Sequence, residues 1–206
     1  RYGSKPARVI PNGIIFKEVD PDFKTEFNPH HFNIGIVGRL SPVKGHRYLF
    51  EAVAPLEGLH KRIKIHVFGE GALKDELRTL CRQLDILYDV HFHGFRDHIF
   101  QYIARLDLLV MPSLFESMPY TLLEAMYAGR PVIASRVGGS REIIEEGKDG
   151  LFSELKDGRG LGDKIRYVME HPDEARAMGE AARAKVVGQY GIGKMAEAYC
   201  EVYGGG

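Results

Sequence analysis

The sequence lacks most of what would send a protein to a membrane, a metal or a nucleic acid. No apolar run approaches the roughly 18 residues that a membrane helix needs. No basic stretch followed by an apolar one opens the chain, so no signal peptide is visible. Lys+Arg and Asp+Glu balance at 28 each. The basic surplus of a nucleic-acid binder is therefore missing, and no nucleic-acid partner is expected. The two cysteines, Cys81 and Cys200, lie far apart and not at metal-ligand spacing. That disfavours a disulfide framework and points to a reducing cytoplasm. The Gly-x4-Gly-Lys-Ser/Thr phosphate loop and the G-x-G-x-x-G of NAD-binding folds are also absent, which disfavours a plain dehydrogenase. No internal repeat or low-complexity segment appears. The chain opens at Arg1 rather than Met, and its natural start is expected upstream.

What is present is an alternation. Residues 1–32 are punctuated by Pro6, Pro11, Pro21 and Pro29 and read as a lead-in, with Val9 and Ile10 as one short strand. From Asn33 short apolar runs alternate with helical periodicities. Strands are expected over 33–38, 63–69, 90–94, 107–112 and 131–135, with a brief sixth over 150–152. Helices are expected around Leu49, over 73–84 and 99–106, from about Pro119 through Glu124, over 142–146 and around Leu161. Two more are expected over 173–187 and 194–203. This pattern predicts an α/β fold, a Rossmann-like doubly wound parallel sheet with C-terminal helices. Residues 33–190 form the core domain in this reading, and 191–206 a closing helix and tail.

The fold class places a ligand before any motif is consulted. In the strand order 3-2-1-4-5, strands 1 and 4 are neighbours, and ligands bind beyond their carboxyl ends. The loop after strand 1 holds Gly38, Arg39 and Lys44 at the mouth of a strand and the start of a helix. Two cations and free helix amides suit a diphosphate. From spacing alone, solvated loop charges are an equally good reading. The loop after strand 4 holds Glu116, Ser117, Met118, Pro119 and Tyr120, with the amides of Ser117, Met118 and Tyr120 directed at the same crevice. Glu124 follows on the helix. Were the whole span helical, the two acids would lie about 12 Å apart. A carboxylate pair acting on one bond sits about 5–10 Å apart. The separation suits a nucleotide sugar, with Glu116 at one end and Glu124 at the other. The plain alternative is a helix cap at Glu116 and a surface acid at Glu124.

Four segments carry a family resemblance: Pro11-Asn12-Gly13-Ile14; Gly38-Arg39-Leu40 with Lys44-Gly45; Phe68-Gly69-Glu70-Gly71; and residues 116–134 with Val137-Gly138-Gly139 and Glu142. In order and spacing they resemble the C-terminal, donor-binding half of a GT-B glycosyltransferase of the retaining group 1 type (family 4). The resemblance implies that Glu116 contacts the donor sugar and is tied to catalysis. It implies that Arg39 and Lys44 hold the departing diphosphate, that Glu124 binds the ribose, and that backbone near Phe95 meets the base. It implies no metal and no cofactor. A nucleoside-diphosphate sugar would be the donor. The acceptor, a glycan, lipid or small molecule, would sit mostly on an N-terminal domain absent here, so the piece alone is expected to be inactive. The resemblance also allows peripheral attachment of the whole enzyme to the inner face of a membrane. Relatives commonly carry Gly-Phe where this chain has Ser117-Met118, which leaves the sugar open. A nucleotide-sugar epimerase and a non-catalytic nucleotide-sugar-binding module are the other readings.

Several histidines were weighed as well. His91 and His93 share one face of strand 3, and packing on a buried strand is the preferred reading over a metal site. His46 reads equally as a solvated residue or a phosphate neighbour. His30 and His31 read as exposed, and Cys81 as a small buried apolar residue.

Overall fold

The computed structural model describes residues 9–56 and 58–204. Six strands form one parallel sheet: β1 (Phe32–Val37), β2 (Ile63–Phe68), β3 (Val90–Gly94), β4 (Leu108–Met111), β5 (Val132–Ser135) and β6 (Leu151–Ser153). Their order is β3-β2-β1-β4-β5-β6, so β1 and β4 meet at the switch point as expected. Helices connect them: α1 (His46–Val53), α2 (Lys74–Gln83), α3 (Ile99–Ile103), α4 (Tyr120–Tyr127) and α5 (Ser140–Ile143). Then come α6 (Gly158–Glu170), α7 (Pro172–Gln189) and α8 (Ile192–Gly204).

The side-chain period of two builds two cores from one continuous apolar run. In β4, Leu108 and Val110 join Ile34, Ile36, Leu49 and Ile165 on one face. Leu109 and Met111 join Leu122, Met126, Phe100 and Val186 on the other. Both faces are thereby covered, which is the condition for an all-parallel sheet. Gly35 is needed in β1 because a Cβ there would run into the Leu106 side chain.

Some expectations need correction. Val9 and Ile10 form no strand; instead Ile14 makes an isolated bridge to Gly191. Pro119 is the extended N-cap of α4 (φ −79°, ψ 115°), not its first helical residue. Residues 116–119 are therefore not helical, and a helical rise does not describe the Glu116 to Glu124 span. The helix expected over 142–146 is Ser140–Ile143, and the one over 99–106 stops at Ile103. β3 is an edge strand, so His91 is exposed rather than packed in a buried strand. α8 buries none of its residues among those described.

Candidate functional site at the switch point

The loop after β1 is built on the loop after β2. The Gly38 amide donates to the Phe68 carbonyl at 2.9 Å, and the Leu40 amide to the Glu70 carbonyl at 2.9 Å. Gly69 and Gly71 leave no room for a Cβ against the Gly38 and Leu40 backbone. A 3-10 turn, Pro42–Lys44, then delivers Lys44, and Gly45 ends it at φ 69°. A Cβ at Gly45 would strike the Pro112 carbonyl. The Leu114 amide donates to the Val43 carbonyl at 2.7 Å. The loops after β1 and β4 are thus joined backbone to backbone.

That junction brings two predicted residues together. Lys44 Nζ lies 2.7 Å from Glu116 Oε1, and Ser113 Oγ donates to the same oxygen at 2.7 Å. Glu116 is only 7% exposed. A nearly buried carboxylate is costly unless paired, and here one ammonium and one hydroxyl do the pairing. Both bonds fall on Oε1, and Oε2 has no hydrogen-bond partner among the described residues. From behind, the β5–α5 loop grips the same backbone. The Gly139 amide donates to the Glu116 carbonyl at 3.2 Å. Gly138 (φ 41°) and Gly139 sit where a Cβ would collide with the Glu116 and Ser117 carbonyls. The sequence placed these glycines within the motif but gave no hint of this clamp.

The remaining predicted residues divide. Gly38, Arg39 and Phe95 line a cavity of about 590 Å³ outside β1, β2 and α3. Lys44, Glu116 and Glu124 do not line it. Phe95 is 72% exposed, so an aromatic face is open to a ligand. Tyr120 is exposed at the start of α4, and Ser117 is exposed beside it. The amides of Ser117 and Met118 have no hydrogen-bond partner among the described residues, so the turn before α4 carries unsatisfied donors. Met118 is also held from the lead-in, with its Sδ accepting from the Asn12 amide at 2.8 Å. Glu124 pairs with Lys17 at 3.4 Å. Lys17 also lines the cavity, and no sequence pattern singled it out.

Two histidines lie deeper. His46 is not solvated: it is 2% exposed, and neither ring nitrogen has a partner. Burial, helped by the nearby Lys44 charge, lowers its pKa to about 4. His66, which the sequence reading passed over, hydrogen-bonds His93 at 2.9 Å and Asn33 at 3.0 Å. Phe27 of the lead-in covers it, with ring centroids 4.0 Å apart. Burial first, then the neighbouring His93 and His91, lower its pKa to about 3. Among the described residues, no group of three or more His, Cys, Asp or Glu could hold a metal ion. Both cysteines are free, and burial pushes the Cys81 thiol up to about 12.

Fold and site together define a doubly wound α/β domain whose chemistry is concentrated at the sheet's switch point, where such folds take their ligands. A family model described as glycosyl transferases group 1 matches residues 20–185, and the chain belongs to that family. A glycogen synthase of Mycobacterium tuberculosis is 31% identical over 169 residues, which cover 81% of this chain and 41% of that protein. The lipopolysaccharide core biosynthesis glycosyltransferase LpsE of Rhizobium meliloti is 28% identical over 81% of this chain and 48% of its own length. The chain thus spans about half the length of the curated relatives it matches. Among solved structures, Anabaena HepE in complex with UDP and glucose superposes with a TM-score of 0.81 and 26% identity. That match covers 85% of this chain and 49% of HepE. A Francisella tularensis structure, described as the C-terminal domain of a group 1 glycosyl transferase, gives a TM-score of 0.73 and 26% identity. It covers 78% of this chain and 87% of that domain.

Proposed function

We propose that the chain is the donor-binding domain of a retaining glycosyltransferase. It takes a nucleoside-diphosphate sugar and, with a preceding domain that carries most of the acceptor site, passes the sugar to an acceptor hydroxyl. The observation that carries this reading is the Lys44–Glu116 pair, held by two loops joined at the switch point. An arriving diphosphate competes with Glu116 for the Lys44 ammonium. Arg39, on the cavity side of the same loop, supplies the second cation. Cations aimed at the departing diphosphate stabilise charge as it develops, which is the role a metal would otherwise fill, so no metal is needed. Glu116, still held at Oε1 by Ser113, then faces the positive charge growing at the anomeric carbon. Ser117, Met118 and Tyr120 give the diphosphate free amides, and Pro119, which has no N–H to give, sets the turn between them. Glu124 takes the ribose hydroxyls, and the base stacks near Phe95. The UDP seen with HepE makes uracil the first base to try. Among the described residues, no helix is long and apolar enough to cross a membrane. The reading places the whole enzyme in the cytoplasm, with the inner membrane face as its place of attachment when the acceptor is a lipid.

Calorimetry of this chain with UDP, GDP and ADP is the direct test. At least one should bind at sub-millimolar to millimolar concentration. Lys44→Met together with Glu116→Gln, which avoids stranding a buried charge, should weaken that diphosphate about tenfold while sparing the nucleoside. Absence of binding by all three at millimolar concentration overturns the reading.

A further inference from the structure

The part of the lead-in from Asn12 to Lys17 lies along α4 and reaches the cavity. The Asn12 amide reaches Met118 Sδ at 2.8 Å. Ile14 exchanges backbone bonds with both sides of Gly191, its amide donating to the Tyr190 carbonyl at 2.8 Å and its carbonyl accepting from the Ile192 amide at 2.9 Å. Phe16 stacks on Tyr127 with centroids 4.8 Å apart and planes 16° apart. Anchors at Met118 and Tyr127 bracket Glu124, and the next residue, Lys17, places its ammonium 3.4 Å from Glu124 Oε1.

We propose that Lys17 is a positioning residue of the donor site, holding the Glu124 carboxylate in the orientation that accepts the ribose 2′- and 3′-hydroxyls. The inference rests on the reading of Glu124 as the ribose ligand. The Glu124 carboxylate has no other hydrogen-bond or ionic partner among the described residues, and Oε2 is left unbonded. A free glutamate samples many rotamers, and fixing one to meet a diol costs entropy at the moment of binding. An ammonium already on Oε1 pre-orders the carboxylate and leaves Oε2 and the second lone pair of Oε1 for the two hydroxyls. Stability does not explain the pair: the Lys17 side chain is 51% exposed, and such contacts contribute little to folding. Its position does, because Lys17 lines the same cavity as Arg39 and Phe95 and so joins Glu124 to the cavity wall. The segment Phe16-Lys17 lies outside the motif residues that carry the family resemblance.

The test compares UDP, GDP and ADP with their 2′,3′-dideoxy counterparts on this chain by calorimetry. The unmodified protein should prefer the ribose form of its diphosphate by about tenfold, the value of one or two hydrogen bonds to a charged group. Glu124→Gln should remove most of that preference. Lys17→Met, which keeps the stem, should reduce it several-fold by weakening only the ribose form, and Lys17→Arg should restore part of it. In the Glu124→Gln background, Lys17→Met should change nothing further. If Lys17→Met leaves the preference intact while Glu124→Gln abolishes it, the inference is wrong and the Glu124 reading stands. If Lys17→Met weakens both forms equally, Lys17 acts on phosphate or on the fold, and the inference is again overturned. If Glu124→Gln leaves the preference unchanged, the reading of Glu124 itself fails, and the inference fails with it.

Discussion

Two lysine–glutamate pairs flank α4, and they differ in almost every physical respect. Lys44–Glu116 is short, 2.7 Å, with lysine and acid side chains 30% and 9% exposed; Lys17–Glu124 is 3.4 Å, with the same groups 51% and 17% exposed. The first pair is fixed by backbone. Gly45, Leu114 and Gly139 tie its loops together, and Ser113 adds a hydroxyl to the same carboxylate oxygen. The second is fixed by a strap whose anchors are a ring stack and one isolated bridge. Desolvation makes the first pair strong to keep and costly to break, while water screens the second. The contrast is what a transferase would need. In the proposed reading, the acid near the reacting carbon is braced by backbone on several sides, and the acid at the ribose is pre-ordered by a single exposed lysine.

The largest test of that contrast is on turnover in the full-length enzyme. Glu116→Ala should lower kcat by about 10²–10³-fold, the usual loss when a charge-stabilising group is removed. Glu124→Ala should act mainly on KM. Similar kcat losses for both would erase the distinction between the pairs.

Next comes the scaffold that makes the first pair rigid. Gly45→Ala puts a Cβ at positive φ and drives it into the Pro112 carbonyl. A loss of about 2–4 kcal/mol in chemical denaturation is expected, summing left-handed strain and overpacking. Diphosphate affinity should fall with it. Gly193→Ala, where a Cβ meets nothing within 4 Å, is the control and should be near neutral. An unchanged unfolding midpoint for Gly45→Ala would mean that the two loops are not locked through this contact.

Most of this arrangement was legible in the sequence, and the failures share a cause. The apolar runs and the switch point brought the loops after β1 and β4 together before any contact was known, because parallel strands and right-handed crossovers leave few alternatives. His46 was legible too, in retrospect: with Leu49, Phe50 and Val53 it completes an i, i+3, i+4, i+7 stripe and belongs to the buried face of α1. A reading as solvated or as a phosphate neighbour overlooks that stripe. His66 was missed because alternation in β2 was read as one buried face, whereas the lead-in covers the other through Phe27. Pro119 misled in the opposite direction: it is welcome at both N-cap and first turn, and local sequence does not choose. Lys17 had no local signal at all, since its partner is 107 residues away and only the path of the strap joins them.

Acid should also separate the pairs, through the buried histidines. His46 and His66 have folded pKa values of about 4 and about 3, below the ordinary 6.5. The unfolded chain therefore binds protons that the folded one refuses. Their contribution to stability is complete above pH 6.5 and is lost as pH falls from 6.5 toward 4 for His46 and toward 3 for His66. Each histidine adds a slope of about 1.4 kcal/mol per pH unit within its window. Urea midpoints at pH 7.5 and 5.0 should show the fall, and His46→Leu should remove about half of the histidine contribution, leaving that of His66. Because His46 sits two residues from Lys44 at the start of α1, acid should loosen the Lys44–Glu116 loop ahead of the strap. Amide exchange near Val43 and Leu114, compared with that near Ile14, would reveal the order. Parallel loosening of both would count against it.

The smallest expected effect is the coupling energy of each pair as salt is raised. At low ionic strength a double-mutant cycle on Lys17 and Glu124 should give about 0.2–1 kcal/mol, the range for exposed pairs. At 0.5 M salt the Debye length falls to about 4 Å, comparable with the pair separation, and the coupling should shrink toward zero. The cycle on Lys44 and Glu116 should retain most of its value, because the carboxylate is nearly buried and Ser113 holds it in place whatever the bulk ion concentration. Equal salt sensitivity of the two cycles would mean that solvent reaches the first pair as freely as the second. The division between a buried inner pair and a water-screened outer one would then have no electrostatic basis.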